Sequence, residues 1–244
     1  MFKPLFSPIL QPLFEPAIDG NERSLLRNGL ISYWKMEEAS GARADATGNI
    51  TLSDVNTVGQ AVGKIGNSGD FIAANSESLI TSGADKTKLS FPNQSYSFVA
   101  WVYANSLVNG YIFSKWGIAT QRQYRLLFSP IQFRFEHMDA VQVQYNAMDV
   151  LTTIINQWYF VATVYDHDAQ DMTLYVDTRT PVVTPVATGS ATVDSAEFYI
   201  GSSNGATIWF DGRIDEVGAW SRALSANEVA QLYNGGAGVT YPFI

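Results

Sequence analysis

The sequence predicts an all-β fold: a two-sheet antiparallel jelly-roll sandwich with one short C-terminal helix and an extended N-terminal arm. From residue 30 onward, short β-branched and aromatic segments follow one another, and turn signals such as Asn109-Gly110 and Asn204-Gly205 separate them. Helical segments do not alternate with these candidate strands. This pattern favours an antiparallel sandwich over a parallel α/β fold.

Composition narrows the function classes. The chain has 244 residues, of which 46% are hydrophobic and 16% charged, so it can bury a core of ordinary size. Fifteen Lys and Arg against 23 Asp and Glu give a net charge of −8, which argues against nucleic acid or an anionic membrane as partner. No segment approaches the roughly 18 apolar residues of a membrane-inserted helix. The absence of cysteine excludes thiolate chemistry, and two histidines leave little room for a zinc site or a catalytic triad.

Residues 1–28 are predicted to form an extended, proline-rich docking arm, and residues 29–244 the jelly-roll domain. Prolines recur every four residues within Met1–Asn21, which excludes an ordinary helix or central strand. The segment is also a poor signal peptide, and a disordered tail is the alternative. We expect its apolar side chains to dock on the domain or on other protein chains of a large assembly. These side chains are Phe2, Leu5, Phe6, Ile9, Leu10, Leu13 and Phe14.

The strongest strand candidates are apolar on both faces. Ser97–Tyr103 and Trp158–Tyr165 are rich in aromatic and β-branched residues and too short for buried helices, so they are predicted to be central strands. Six further segments are predicted strands: Tyr124–Phe128, Ile131–Glu136, Val141–Tyr145, Thr173–Asp177, Phe198–Gly201 and Arg213–Trp220.

A helix is predicted over residues 226–234, because several local signals agree. Ser225 is a typical N-cap, Glu228 completes a capping box, and Leu224 precedes them as a hydrophobic staple. Gly235 follows at the position where a left-handed residue ends many helices. We expect this helix to form a lid over one open end of the sandwich.

Several motifs resemble one family in the order in which they occur. Gly29–Glu38 and Asp45–Asn49 resemble the opening strand and first loop of the laminin-G-like, concanavalin-A-like jelly-roll family. The further matching segments are Gly63–Asn67, Ser97–Val102, Trp158–Asp166, Leu174–Asp177, Phe198–Gly201, Gly212–Val217 and Trp220–Ser225. The resemblance covers roughly residues 29–236. It implies two curved sheets, usually a calcium ion, and usually binding of glycans or proteins rather than catalysis.

A calcium site is expected at the loop that begins with Asp45. Within five residues this loop offers a carboxylate, a hydroxyl, the turn residue Gly48 and the amide of Asn49, and calcium prefers such oxygen ligands. In the resembled family the aspartate that matches Asp215 lies near this loop. The alternative is that Asp45 and Asn49 hydrogen-bond their own turn. The sequence also departs from the family here, since Ile50–Leu52 replaces the Asn-Asp-Gly run that often follows.

The sequence predicts no enzyme. Distant relatives in the resembled family are glycoside hydrolases, which need two carboxylates facing each other across a bond. Glu136–Asp139 and Asp215–Glu216 are the nearest candidates, and neither has carboxylates at alternating positions. His137 and His167 have no neighbouring serine or cysteine motif and are interpreted as polar surface residues.

A glycan-binding surface is the more plausible site. Aromatic side chains near predicted loops, with polar neighbours, are typical of sugar-stacking sites. The candidates are Tyr111, Trp116, Arg122, Tyr124 and Trp209. The alternative is that these rings belong to the core, since the chain holds six Trp, twelve Tyr and fourteen Phe residues.

Three functional classes follow. The first is a structural or adhesion protein that displays a lectin-like domain in many copies, or as a homo-oligomer, on a large assembly. A bacteriophage virion surface is the leading case of that class. The second is a secreted carbohydrate-binding module, and the third is a divergent glycoside hydrolase. The arm favours the first class, whereas the acidic, cysteine-free sandwich fits all three.

Overall fold

The computed structural model describes residues 23–187, 189–191, 195–205 and 207–244. The predicted docking segment Met1–Asn21 lies outside these residues. The strands are β1 Leu30–Trp34, β2 Ser53–Val55, β3 Gly59–Val62, β4 Asn67–Phe71, β5 Ser78–Ile80, β6 Tyr96–Ala104, β7 Gly110–Trp116, β8 Arg122–Ser129, β9 Gln132–Met138, β10 Gln144–Val150, β11 Trp158–Asp166, β12 Asp171–Val176, β13 Val182–Pro185, β14 Tyr199–Ile200 and β15 Gly212–Trp220. The helices are α1 Asp85–Lys88 and α2 Ala226–Tyr233, with 3₁₀ turns at Leu25–Arg27, Ala73–Asn75 and Asn234–Gly236.

The strands form two antiparallel sheets, which confirms the predicted jelly-roll sandwich. The first sheet has the order β13-β12-β11-β6-β15-β4-β3, and β1 also pairs with β15. The second sheet has the order β10-β9-β8-β7-β14-β5-β2. The pairing of Trp34 with Val217 joins the first strand to the last, so the two ends of the domain meet in one sheet.

An aromatic core fills the space between the sheets. Phe98 of β6 contacts Phe113 of β7 at 4.8 Å and Tyr124 of β8 at 4.7 Å between ring centroids. Phe198, just before β14, stacks on Phe98 at 5.6 Å. All four rings are at most 1% exposed. Burial of this size supplies most of the driving force for folding.

A second apolar cluster covers the outer face of the first sheet. Val99 and Trp101 of β6 pack there with Leu26, Leu232 of α2 and Phe243. This explains why β6 and β11 are apolar on both faces. The prediction that the helix closes an open end of the sandwich is wrong, because α2 packs on a sheet face. Leu26 also shows that residues 23–28, which the sequence analysis assigns to the arm, pack on the domain.

The predicted start of the helix is confirmed by its hydrogen bonds, and its end lies one residue earlier than predicted, because Asn234 already has a left-handed φ of +48°. The Ser225 hydroxyl accepts from the Glu228 amide at 3.3 Å, and the Glu228 carboxylate accepts from the Ser225 amide at 2.9 Å. Gly235 has a φ of +59°, in the left-handed region that glycine tolerates. No helix in the described part of the chain is long and apolar enough to cross a membrane.

Three strands of the second sheet, β2, β5 and β7, were not predicted, and β7 is the one that carries candidate site residues. Gly110–Trp116 forms β7 in the middle of that sheet, although Tyr111 and Trp116 were expected near loops. Ser114 and Lys115 interrupt the apolar pattern of this segment, yet both side chains are buried and donate hydrogen bonds to backbone carbonyls. A buried polar side chain with a partner does not break a strand.

Candidate functional site

The outer face of the second sheet carries the candidate site. In β8 the side chains of Tyr124, Leu126 and Phe128 point into the core. Because successive side chains of a strand alternate, Arg125 and Leu127 point outward. Phe133 and Phe135 of β9 also belong to the core, which places Arg134 and Glu136 on the outer face.

Arg125 lies at the centre of this face. Its guanidinium carbon is 4.0 Å from the ring centroid of Trp116 and 4.6 Å from that of Tyr111. Its Nε donates to Glu136, which is the cross-strand partner of Arg125, and its Nη1 donates to the Ser203 hydroxyl at 3.4 Å. Two rings and one carboxylate therefore fix the orientation of this cation.

Glu136 connects two arginines. Its side chain is fully buried, and its Oε1 lies 2.6 Å from Nη2 of Arg134. Burial raises the pKa of Tyr111 and the charge of Glu136 adds to this effect, whereas Arg125 and Arg134 act against it. The guanidinium of Arg122 lies 5.7 Å from the Trp116 ring. We call Tyr111, Trp116, Arg122, Arg125, Arg134 and Glu136 the arginine cluster.

An open cleft adjoins the arginine cluster at the β8–β9 hairpin. Its volume is about 310 Å³. Arg134 belongs to both the cluster and the cleft. The lining residues are Asn109, Leu127, Ser129, Pro130, Ile131, Gln132 and Arg134. The cleft therefore combines an apolar floor with amide, hydroxyl and guanidinium groups, a composition common in saccharide and small-molecule sites.

The structure brings together three of the five predicted ligand-binding residues. Tyr111, Trp116 and Arg122 meet in the arginine cluster. The prediction for Tyr124 is wrong, because its ring is fully buried and its hydroxyl donates to the Leu89 carbonyl at 2.8 Å. Trp209 is half-buried in the loop between β14 and β15.

The predicted stacking role of the rings also requires correction. Trp116 is 5% exposed and Tyr111 is 3% exposed, and the Arg125 guanidinium covers a face of each ring. Met138 and Ala196 pack against Trp116 as well. These rings therefore hold arginines in place and do not offer a free face to a sugar. Arg125, Arg134 and Glu136 were missed, although alternation along β8 and β9 places all three on one face.

Among the predicted calcium ligands, Asp45 leaves no oxygen free for a cation as it lies in the structure. The Asp45 carboxylate accepts from the backbone amides of Tyr33 at 2.9 Å, Thr47 at 2.8 Å, Asn49 at 3.1 Å and Ile50 at 2.8 Å. The Thr47 hydroxyl also donates to it at 2.9 Å. A carboxylate offers about four lone-pair sites, so these donors leave none for a metal. Gly48, with φ +79°, allows the turn that brings the amides inward.

Asp215 has a separate role. Its Oδ2 accepts from the amides of Lys64 at 2.7 Å and Ile65 at 3.0 Å, so it holds the turn between β3 and β4. Burial raises the pKa of Asp215 to about 8 and that of the adjacent Glu216 to about 7. Asp45 and Asp215 share no hydrogen-bond partner. In the described ranges, no three His, Cys, Asp or Glu side chains gather into a metal-binding group.

The carboxylates considered for catalysis are also engaged. Glu136 is ion-paired, and Asp139 accepts from the amides of Val141 at 3.0 Å and Val143 at 2.8 Å. The interpretation of His137 as a surface residue is wrong. It is fully buried, its ring stacks on Tyr165 at 4.1 Å, and its Nδ1 lies 2.7 Å from the Tyr96 hydroxyl.

Comparison with protein families decides the classification. A laminin G-like family model, described as the concanavalin A-like lectin/glucanases superfamily, matches residues 69–230, about two thirds of the chain. The chain belongs to the concanavalin A-like lectin/glucanase superfamily. Among curated proteins, none matches this sequence significantly.

Solved structures share this concanavalin A-like fold. The binding domain of Paraclostridial Mosquitocidal Protein 1 matches with a TM-score of 0.70 and 13% identity over 86% of this chain and 53% of that chain. Domain 4 of AbnA, an extracellular arabinanase from Geobacillus stearothermophilus solved with arabinotriose, matches with a TM-score of 0.65 and 18% identity over 86% of this chain and 98% of that chain.

A third match is the ligand binding domain of botulinum neurotoxin serotype D in complex with N-acetylneuraminic acid. Its TM-score is 0.64 with 15% identity, over 87% of this chain and 52% of that chain. The chain thus spans about half the length of the two toxin domains. At these identities the likeness establishes the superfamily fold, and the function depends on the site.

Proposed function

We propose that this chain is a non-catalytic glycan-binding domain whose saccharide site is the arginine cluster with its adjoining cleft. The observation that carries the proposal is their continuity on one sheet face. Arg134 lines the cleft and is tied through Glu136 to Arg125. Sugars are recognised by polar groups held rigidly beside an apolar floor, and this face offers both.

The carboxylates of this face support binding over hydrolysis. Glycoside hydrolases need one carboxyl group on each side of the scissile bond. Across β7–β10, Glu136 is the carboxylate that points outward, and its side chain is fully buried against two arginines. This burial keeps the carboxylate out of contact with a sugar bound on this face.

The structural neighbours support the same class. One was solved with arabinotriose and another with N-acetylneuraminic acid, so the fold presents saccharide sites in other proteins. The first of these is a domain of an extracellular enzyme, and the match covers 98% of that domain. This match favours a secreted carbohydrate-binding module as the second candidate.

Glycan binding is tested by probing an array of immobilised glycans with multimeric protein. Arg134→Gln should reduce the signal, because it removes the cation shared by the cluster and the cleft. Arg213→Gln is the matched control: Arg213 lies 4.8 Å from the Tyr103 ring on the first sheet, so it is another arginine stacked on an aromatic ring. Release of reducing sugar from a bound polysaccharide would contradict the non-catalytic proposal, and no signal on any glycan would contradict glycan binding.

We further propose that the domain is displayed in many copies on a large assembly, with a bacteriophage virion as the leading case. A single shallow saccharide site typically has a Kd of about 10⁻³ to 10⁻⁴ M, or about 4 to 5.5 kcal/mol. Display in many copies converts such weak sites into useful adhesion. The regular alternation of prolines and apolar residues in Met1–Asn21 supports a docking role for that segment. A variant without this segment should fold yet fail to join its assembly, and normal incorporation of that variant would contradict the proposal.

A further inference from the structure

The arginine cluster has the opposite charge to the rest of the molecule. Arg122, Arg125 and Arg134 contribute three positive charges and Glu136 one negative charge, which leaves a surplus of two positive charges. The whole chain has a net charge of −8. Neighbouring arginines repel one another, and packing alone does not require them, since neutral side chains could cover the rings.

The guanidinium groups of the cluster also have N–H groups that no protein acceptor uses. Each guanidinium has five N–H groups in a planar fork. Arg125 uses Nε on Glu136 and Nη1 on Ser203, whereas Arg134 is hydrogen-bonded to Tyr111 and ion-paired with Glu136 through Nη2. In the described part of the chain, the Nε atoms of Arg122 and Arg134 are buried without a hydrogen-bond partner.

The exposure of these groups shows what remains accessible. The side chain of Arg125 is 17% exposed and that of Arg134 is 28% exposed, whereas Glu136 is inaccessible. A ligand that approaches this face therefore meets guanidinium groups and not the carboxylate that orients them. Glu136 is a positioning residue.

We infer that the arginine cluster selects saccharides that carry an anionic group, a carboxylate or a sulfate. This inference rests on the proposed function and specifies the substrate class of the same site. A carboxylate or a sulfate presents two oxygens that accept parallel hydrogen bonds from one guanidinium, and this geometry is stronger and more directional than a contact to a neutral hydroxyl. A ligand with a single anionic group compensates one of the two surplus charges. A densely charged polyanion is disfavoured, because the rest of the molecule repels it.

The test uses matched triplets of glycans: neutral, carboxylated and sulfated forms of the same core, such as lactose, 3′-sialyllactose and 3′-sulfolactose. Binding is measured by isothermal titration at low and at high salt, after an array has identified the preferred core. An anionic form should bind about tenfold more tightly than its neutral counterpart, and added salt should reduce this advantage. The two anionic forms distinguish a carboxylate from a sulfate.

Two variants localise the effect. Arg134→Gln and Arg122→Gln should reduce the affinity for the anionic form about tenfold more than they reduce the affinity for the neutral form. Arg213→Gln should retain wild-type selectivity. Arg125 is left intact, because its guanidinium contacts Tyr111, Trp116 and Glu136 at once, so its loss would disturb the whole cluster.

The possible outcomes separate the two proposals. Equal binding of the neutral and anionic forms, or anion selectivity that survives Arg134→Gln and Arg122→Gln in folded protein, overturns the inference and leaves glycan binding in place. Absence of binding to every glycan overturns glycan binding, and the inference with it.

Discussion

At the scale of single residues, Asp45 stabilises a loop by accepting hydrogen bonds. Asp45→Ala should lower the free energy of unfolding by about 2–4 kcal/mol, because buried backbone amides lose their acceptor. Asp45→Asn should cost less, since it keeps one oxygen. Thermal melts of both variants, recorded with calcium and with chelator, measure these losses. Each variant should have the same melting temperature in the two conditions. The control is Asp168→Ala, at an exposed turn. A chelator-dependent drop in the wild-type melting temperature would contradict this account and restore the calcium prediction.

His137 is a second residue whose burial has a measurable consequence. Burial lowers the pKa of His137 to about 3, although the charge of Asp139 acts in the opposite direction. The ordinary value in an unfolded chain is about 6.5, so below that pH the unfolded state gains a proton that the folded state does not take up. Protonation of His137 in the unfolded state therefore has no effect on the free energy of unfolding above pH 6.5. Below pH 6.5 it lowers that free energy by up to about 1.4 kcal/mol for each pH unit.

A His137→Phe variant isolates that contribution. It should be less stable at pH 7, because Tyr96 loses its hydrogen-bond partner, but its stability should fall less steeply than that of the wild type between pH 6.5 and 4.5. Urea unfolding at several pH values measures both slopes. The raised pKa values of Asp215 and Glu216 have the opposite effect, because their contribution to the free energy of unfolding falls as pH rises. This effect is the same in the wild type and in the variant, so it does not alter the comparison. Parallel pH dependences would contradict the prediction.

At the scale of elements, local signals and long-range contacts differ in what the sequence reveals. Helix α2 is specified by its own residues, from the Ser225–Glu228 capping box to Gly235, so its limits could be predicted to within one residue. Its position could not, because the cluster around Trp101 and Leu232 depends on strands far away in sequence. The central strands β6 and β11 were recognised from their composition.

Strand β7 illustrates where such prediction fails. Its polar residues Ser114 and Lys115 are satisfied by carbonyls of residues 202 and 196, which no local pattern shows. Missing β7 made Tyr111 and Trp116 appear to lie in loops, and so the rings were assigned the sugar-stacking role. The arginine cluster needs the cross-strand pairing of Arg125 with Glu136, which depends on the register of the β8–β9 hairpin. The alternation of side chains along a strand predicts which face of the sheet a residue lies on, but only the register of the two strands predicts which residues contact each other.

At the scale of the whole molecule, the jelly-roll topology separates two surfaces. The outer face of the first sheet is covered by α2 and the C-terminal residues, with Trp220 and Phe243 in its apolar cluster. The outer face of the second sheet has no such cover over the arginine cluster in the described part of the chain. One sheet therefore stabilises the domain on both of its faces, and the other presents a rigid set of polar groups. Ligand sites are most precise when they are built on such regular elements.

Residues 26–28 are tied to the C-terminal part of the domain by the same arrangement. Leu26 is fully buried, and its carbonyl accepts from the Trp220 indole N–H at 2.7 Å. The Asn28 carbonyl accepts from Arg222 at 2.7 Å, and Arg27 donates to the Pro242 carbonyl at 2.9 Å. Deletion of residues 1–22 removes none of these contacts and should leave the melting temperature unchanged. Deletion of residues 1–28 should lower it by about 5 to 15 °C, since losing a buried leucine costs about 2–5 kcal/mol in a domain of this size.

A Leu26→Ala substitution in the full chain separates the side chain from the backbone contacts in that experiment. It should account for more than half of the loss seen on deleting residues 1–28, because it empties the site beside Trp220 and keeps the carbonyl that accepts from the indole. Scanning calorimetry of the three variants beside the wild type gives the comparison. If deletion of residues 1–22 alone lowers the melting temperature as much as deletion of residues 1–28, the folded unit extends into the proline-rich segment and the boundary at residue 23 is wrong.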